Sequence, residues 1–204
     1  MKNSIRFSIA LIGALWLAAC MDFNKNKEEN LSEASDFNLI EINKEYSLRI
    51  PKYMKKAKDL NDDASLQYQN VFKETYVIVI DESEQGIINT FSDAGEYDST
   101  LTMAENYRDI QLKSLSESIT VQSKTDPVAT KINGLNAQLV QVDGTVEGVK
   151  SGISYFLAFI EGNGNVYMIM AWTLKDRKDK YRKTFDRIAK SFQLMPGTEA
   201  AEGQ

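Results

Sequence analysis

The chain has 204 residues, with 24 Lys and Arg against 29 Asp and Glu, no histidine and one cysteine. Those counts exclude Cys/His zinc sites, Cys-His and Ser-His-Asp nucleophile systems and intramolecular disulfides. The net acidic charge also argues against nucleic acid as a partner, because phosphate binding needs clusters of Lys and Arg. Carboxylate pairs, Ser-Lys dyads and oxygen-ligand metal sites stay open by residue type.

The first nineteen residues have the order of a signal peptide. Lys2 and Arg6 form a positive start, and residues 7–17 are almost wholly apolar. As a helix, this run is roughly 16 Å long, well short of the ~30 Å hydrocarbon core of a bilayer. The pattern therefore predicts a cleaved leader and not a transmembrane helix.

The segment Leu17-Ala18-Ala19-Cys20 closes this run on the single cysteine, and it resembles the lipobox of bacterial lipoproteins. The resemblance implies that the Cys20 thiol takes a diacylglyceryl group, that a peptidase cuts just before it, and that the new amino terminus can be acylated too. Two or more acyl chains give stable membrane attachment. The alternatives are an ordinary secretory signal with an incidental cysteine and a buried core cysteine.

Removal of residues 1–19 leaves 185 residues, enough for one domain with a sizeable core. It also removes Lys2 and Arg6, so the mature chain has 22 basic against 29 acidic residues, a net charge of −7. We expect an acylated cysteine and a flexible tether over 20–36, with a reach of about 22 Å. After the tether, we expect a single globular domain over 37–194 and a disordered tail over 195–204.

Within the domain, hydrophobic alternation predicts strands, and a period of 3.6 residues predicts helices. Strand-like segments lie at 37–42, 46–51, 66–72, 76–81, 119–125, 135–144, 152–161 and 166–174, with a loop over 82–100. Helical patterns cover 101–118, with Thr102 and Glu105 as a capping box, and 175–192, with Tyr181, Phe185, Ile188 and Phe192 on one face. Asn133-Gly134 and the segment 162–165 are turn signals.

The last two strands are apolar on both faces and therefore need cover on both sides of the sheet. The sequence thus predicts an α+β fold, with a mostly antiparallel sheet of about seven strands flanked by helices in an α/β/α sandwich.

The order of these elements resembles the PsbP-like fold, which includes the DcrB-like bacterial lipoproteins. The resemblance covers about 37–194 and is carried by Ile50-Pro51, the segment 133–137, the hairpin through Gly162 and Tyr167, and the closing segment 188–192. It implies a small sandwich used for binding and accessory work, without catalytic residues.

Three local patterns have both a functional and a structural interpretation. The segment 81–86 resembles the first half of a calcium-binding loop, but Ser92 stands where a bidentate Glu is needed, and the alternative is a strand end entering a polar loop. The stretch 74–107 has eight acids and no Lys or Arg, whereas 175–190 has eight basic residues against three acids. Such regions steer partners, bind ions or keep a domain soluble.

A third pattern is aromatic. Tyr155, Phe156, Phe159, Tyr167 and Trp172 either line a pocket or form the core. The Gly162-Asn163-Gly164 segment lacks a following helix, so it is a turn and not a phosphate loop.

The leading functional hypothesis is a membrane-anchored envelope lipoprotein that acts as a non-enzymatic binding or accessory module for a protein partner. It needs no cofactor, and its one predicted site residue is Cys20, for lipid attachment. The alternatives are a small-ligand or divalent-cation binder and a carboxylate-based hydrolase. Met21, with Asp22 one position later, favours the outer over the inner membrane by the sorting rule of enteric bacteria.

Overall fold

The computed structural model describes residues 28–31 and 33–196, so the predicted leader and Cys20 lie outside the described residues. The strands are β1 (Phe37–Ile42), β2 (Tyr46–Pro51), β3 (Lys55–Lys56), β4 (Leu66–Asn70), β5 (Thr75–Ser83), β6 (Thr120–Lys124), β7 (Val128–Ile132), β8 (Leu135–Thr145), β9 (Ile153–Gly162), β10 (Asn165–Leu174) and β11 (Gln193–Leu194). The α-helices are α1 (Glu84–Asp93), α2 (Met103–Ser118) and α3 (Lys178–Lys190), and short 3-10 turns lie at Ala34–Asp36 and Lys175–Arg177.

An eight-stranded antiparallel sheet organises the domain. Its strand order is β3-β4-β5-β10-β9-β8-β6, and β7 pairs with β8 beside β6. The hairpin β9–β10 lies at the centre, and its side chains are buried on both faces, as the sequence predicted. The α+β prediction is confirmed, although the sheet has more strands than the seven expected because short edge strands extend it.

Each face of the sheet has its own cover and its own hydrophobic core. On the first face, α1 and α2 pack over side chains that include Ile78, Val140, Leu157, Phe159 and Met168. We call this the α2 face. On the second, called the α3 face, α3 and a three-stranded sheet of order β1-β2-β11 pack over side chains that include Val77, Ala158, Ile160, Tyr167 and Ile169.

Local sequence signals place several boundaries. The predicted capping box begins α2, because the Glu105 amide donates to Thr102 Oγ1 at 3.2 Å and the Thr102 amide donates to Glu105 Oε2 at 2.9 Å. Asn133-Gly134 and Asn163-Gly164 have positive φ angles of 48° and 88°, and of 54° and 71°. Both pairs therefore form the tight hairpin turns that the sequence predicted.

The predicted loop over 82–100 is wrong in its first half. Residues Glu84–Asp93 form α1, and Ser83 caps that helix by accepting a hydrogen bond from the Gly86 amide at 3.0 Å. Ile87 and Phe91, four residues apart and preceded by Ser83 as an N-cap candidate, are the signal that indicates this helix. The strand predicted over 66–72 ends two residues early, at Asn70, and Phe72 in the turn that follows is 87% exposed.

The predicted flexible tether over 20–36 is wrong for the residues that the structure describes. The Glu29 side chain is 9% exposed, and its carboxylate accepts hydrogen bonds from Tyr53 Oη at 2.8 Å, Lys73 Nζ at 2.9 Å and Thr184 Oγ1 at 2.9 Å. The Glu29 amide also donates to Lys180 O at 2.8 Å. The folded unit therefore extends to at least Glu28, since these bonds hold the segment on α3.

The disordered tail was predicted to begin at residue 195, which is also too early. The Met195 amide donates to Glu45 O at 2.8 Å, next to the pairing of β11 with β2. The ordered chain thus includes Met195.

We expect the Glu29→Gln variant to lower the free energy of unfolding by about 1–3 kcal/mol, because the amide leaves the Lys73 ammonium without its buried charge partner. Urea denaturation measures this change, and hydrogen exchange at residues 28–36 should rise with it. Glu28→Gln is the matched control, since the Glu28–Lys183 pair is 43% and 65% exposed and should contribute at most about 0.5 kcal/mol. Equal effects of the two variants would contradict the role given to Glu29.

Candidate functional site

A strip of the α3 face remains uncovered beside α3. Val128 on β7 and Leu139 on β8 are register partners, so their side chains project from the same face of the sheet. Helix α3 packs over β9 and β10, and Val128 on β7 is 58% exposed. The result is an apolar groove between α3 and the outer strands.

The groove has a volume of about 400 Å³, which lies within the range of ligand-binding clefts. Its apolar lining includes Val128, Leu139, Phe156, Ala171, Phe185 and Ala189. Of these, Val128, Leu139 and Phe156 are incompletely buried, so they offer apolar surface to an incoming group. Burial of such surface is the dominant favourable term in most protein association.

Charged residues of α3 line one side of the groove. Arg182 lies across its end: one guanidinium nitrogen donates to Gln141 Oε1 on β8 at 2.6 Å, and the guanidinium carbon is 5.5 Å from the Phe156 ring centroid. Lys183 and Asp186 also line the groove. An apolar floor with charged side chains on one wall favours an occupant that is apolar on one side and polar on the other.

A buried ion pair fixes the start of α3 to the sheet next to this groove. The Asp143 carboxylate, 3% exposed, accepts hydrogen bonds from Lys178 Nζ at 2.7 Å and Ser154 Oγ at 2.6 Å. Burial alone would raise the pKa of Asp143, but these bonds and one from Gln141 outweigh it and lower the pKa to about 2. Because the carboxylate stays charged, it holds α3 at a fixed distance from β8.

The aromatic residues singled out in the sequence do not form one pocket. Phe156 lines the groove, whereas Tyr155, Phe159, Tyr167 and Trp172 are core residues with at most 8% exposure. Strand alternation separates them, because Tyr155, Phe159 and Trp172 point to the α2 face and Phe156 points to the α3 face.

The acidic stretch 74–107 does not converge on one point, because its acids bond to separate neighbours. Glu96 pairs with Lys113, Glu105 caps α2, and Glu82 accepts a hydrogen bond from Tyr107 Oη at 2.9 Å. Burial raises the pKa of Glu82, although the bond from Tyr107 acts in the opposite direction. Within 28–31 and 33–196, no group of three or more acidic side chains could hold a metal ion.

The calcium-loop resemblance at 81–86 is not matched by the backbone. Asp81 lies in β5 and Gly86 lies in α1, so the segment is a strand that enters a helix and not a closed loop. At the junction, the Ser83 side-chain oxygen accepts the hydrogen bond that caps α1. The strand-end alternative therefore describes this segment.

Solved structures that resemble this fold include the following two. The solution structure of a cyanobacterial PsbP (CyanoP) from Synechocystis sp. PCC 6803 matches with a TM-score of 0.53 and 12% identity, over 87% of this chain and 98% of that chain. The crystal structure of the Saccharomyces cerevisiae Ran-binding protein Mog1p matches with a TM-score of 0.50 and 11% identity, over 78% and 95%. The domain therefore has a PsbP-like fold.

Searches by sequence add no relative: no protein-family profile matches the chain, and no curated protein matches it. In the part of the chain that the structure describes, no helix is both long and apolar enough to span a bilayer.

Most of the groove was not predicted from the sequence. The aromatic pattern singled out Phe156, and the helical pattern placed Phe185 on a buried face, but β7 was not predicted. The alternation of Val128, Thr130 and Ile132 ahead of the Asn133-Gly134 turn is the signal that indicates this strand. The groove exists because α3 covers only part of this face of the sheet. No local sequence pattern indicates how far that cover extends.

We expect Asp143 to make stability depend on acid pH. Its pKa is lowered from 3.8 to about 2 in the folded protein, so its contribution is complete above about pH 4 and is lost as the pH falls from about 4 to about 2. That contribution is about 2 kcal/mol. Urea denaturation across this pH window should show a shallower loss of stability for Asp143→Asn than for the unmodified chain.

Asp179→Asn is the control for this experiment, because the Asp179 side chain is 81% exposed. It should keep the pH profile of the unmodified chain. If Asp143→Asn and Asp179→Asn gave the same dependence of stability on pH, the ion pair with Lys178 would not determine how stability falls at acid pH.

Proposed function

We propose that this protein is a lipid-anchored, non-enzymatic binding module of the bacterial cell envelope, and that it binds a segment of a protein partner in the groove beside α3. The observation that carries the proposal is the groove itself: an apolar floor formed by Val128, Leu139 and Phe156, with Arg182 on its wall. Domains that act alone rarely leave such a cleft lined by incompletely buried apolar side chains.

The sheet edge next to the groove fits a peptide partner. Among the described strands, β7 pairs with β8 alone, so its other edge is available for backbone hydrogen bonds. An extended peptide that adds to a sheet edge obtains affinity from those bonds and specificity from side-chain pockets on one face. Val128 and Thr130 share the face of the groove, so alternate residues of such a peptide would point into it.

The membrane attachment is assigned to Cys20, on the strength of the lipobox resemblance. Under this proposal the leader over 1–19 is removed, the thiol carries fatty-acyl chains, and the domain lies outside the cytosol beside a bilayer. Met21 and Asp22 favour the outer membrane by the enteric sorting rule.

A non-enzymatic role is supported by the chemistry of the best nucleophile candidate. Ser154 lies near both Asp143 and Lys178, but its side chain is fully buried and its hydroxyl donates to the carboxylate at 2.6 Å. A hydroxyl in that position is unavailable to a substrate, and Lys178 is paired with Asp143 at 2.7 Å instead of acting as a base. We therefore assign a structural role to the cluster of Asp143, Ser154 and Lys178.

The structural neighbours support this role by analogy only. Mog1p is named a Ran-binding protein, which shows that a scaffold of this shape can present a protein-binding surface. Fold similarity does not transfer a partner, so the partner of this chain follows from the groove and not from the comparison.

We expect the Val128→Asp variant to lose its partner, because a carboxylate in the apolar groove would be desolvated on binding. Crosslinking of envelope membranes followed by mass spectrometry measures the loss, as a fall of about tenfold or more in partner recovery. Leu39→Asp is the matched control, since Leu39 on β1 is 52% exposed and Val128 is 58% exposed. Recovery of the same proteins with both variants would contradict the groove as the binding site.

We expect the Cys20→Ser variant to keep its leader, because a serine cannot accept the diacylglyceryl group that precedes cleavage at a lipobox. Intact mass spectrometry of the purified protein measures both changes, and detergent phase partitioning shows whether acyl chains are present. Met21→Leu, one position further, is the control and should be processed normally. A native protein with a free Cys20 thiol and residues 1–19 attached would refute the anchor.

A further inference from the structure

The turn between β4 and β5 carries an unusual exposed hydrophobic pair. Phe72 is 87% exposed and Val71 is 48% exposed at the tip of this turn. The pair is adjacent in sequence and projects beyond the end of both strands, so it has no core to join. Exposed apolar side chains that adjoin on a protruding turn mark a contact site more often than isolated ones do.

Three lysines lie on the segment beside this tip, and the successive strand residues Lys55 and Lys56 point to opposite faces of the sheet. Lys52 precedes β3, Lys55 and Lys56 form it, and Lys55 is the register partner of Gln69, three residues before Phe72. The Asn70 side chain donates to Tyr53 O at 2.8 Å, which holds the segment with Lys52 beside the tip. These three lysines are exposed, and within 28–31 and 33–196 none of them forms an ion pair.

Two acids near the tip are paired with lysines outside this set, whereas Glu74 and Asp36, whose peptide oxygen accepts from the Lys52 amide at 2.9 Å, keep their negative charge. Glu29 pairs with Lys73 at 2.9 Å, Glu28 pairs with Lys183 at 2.7 Å, and Glu74 accepts from Tyr76 Oη at 3.0 Å. Asp59 and Asp62 are exposed further along the chain, beyond Lys58. The three lysines therefore exceed Glu74 and Asp36 by one positive charge, in a chain whose net charge is −5.

The described chain begins at the same place. Glu29 is bonded to Lys73, the residue that follows Phe72. Seven residues separate Cys20 from Glu28, and the eight Cα–Cα steps between the two span at most about 28 Å when fully extended. A bilayer that holds acyl chains on Cys20 is therefore within reach of the tip.

We propose that Val71, Phe72 and the lysines at 52, 55 and 56 form a membrane-contact surface that enters the interface of the anionic bilayer to which Cys20 is attached. Cationic side chains are attracted to anionic headgroups, and an exposed phenyl ring gains from burial at the headgroup boundary. This inference rests on the proposed anchor, and it adds the orientation of the domain. Val128, at the outer edge of the groove on β7, lies five strand steps from β4, about 24 Å across the sheet, so this edge stays open to a partner.

The test uses the full chain, purified from membranes and reconstituted in vesicles, with Phe72→Trp as a probe. Brominated lipids quench tryptophan that lies within the bilayer, so we expect emission of this variant at least about twofold lower than in vesicles of unbrominated lipid. Val128→Trp, at the opposite sheet edge, is the matched control and should not be quenched. The native Trp172 is 8% exposed in the core and provides a constant background.

Charge is tested in the Phe72→Trp background. Lys55→Gln with Lys56→Gln should reduce quenching in vesicles that contain phosphatidylglycerol, and Lys124→Gln with Lys150→Gln removes the same charge elsewhere and should leave it unchanged. A loss of quenching in phosphatidylcholine vesicles at the same salt concentration would support the anionic lipid as the occupant. Equal effects of the two double variants would overturn the part given to the lysines.

The outcomes separate this inference from the anchor. Acylated protein that stays in the vesicles while Phe72→Trp is unquenched would overturn the contact surface and leave the anchor intact, and a specific crosslink from residue 72 to a protein would assign the tip to that partner instead. Protein without acyl chains would refute the anchor. In that case quenching of Phe72→Trp on the same vesicles would still support the contact surface, and its absence would overturn it.

Discussion

The central hairpin of β9 and β10 imposes the constraint from which the rest of the domain follows. Its strands are apolar on both faces, so each face of the sheet must be covered for the chain to be stable in water. Helices α1 and α2 cover one face, and α3 with the small β1-β2-β11 sheet covers the other. The two covers are unequal in extent, and the groove lies where the second cover ends.

Two buried carboxylates hold α3 in place at different points. The Asp143 carboxylate on β8 accepts a hydrogen bond from Lys178 at the start of α3. The Glu29 carboxylate accepts hydrogen bonds from Thr184, near the middle of α3, and from Lys73 in the β4–β5 turn. Hydrogen bonds to a charged group are stronger than neutral ones, and a buried charge fixes its partners closely. The amino-terminal segment, α3 and the turn therefore behave as one unit, which gives the groove wall a defined position.

The same arrangement connects the proposed anchor to the proposed binding surface. Glu29 of the amino-terminal segment bonds to Lys73 beside the β4–β5 turn, and Glu28 pairs with Lys183 on the groove wall, whereas the groove opens toward β7 at the other edge of the sheet. A membrane at the first edge and a protein at the second would not compete for surface. The PsbP-like fold provides this separation because a wide single sheet keeps its two edges apart.

The sequence by itself determined the elements whose signals are local: the strands of the central hairpin, the turns at Asn133 and Asn163, and the capping box at Thr102. It also indicated Phe156 of the groove, through strand alternation. The tertiary structure alone decided where Glu29 binds, that Phe72 is exposed, and that Val128 lies beside α3. Those outcomes depend on contacts between distant residues, such as the bond that joins Thr184 to Glu29 across 155 positions. A periodicity within one segment carries no information about which segment will cover it.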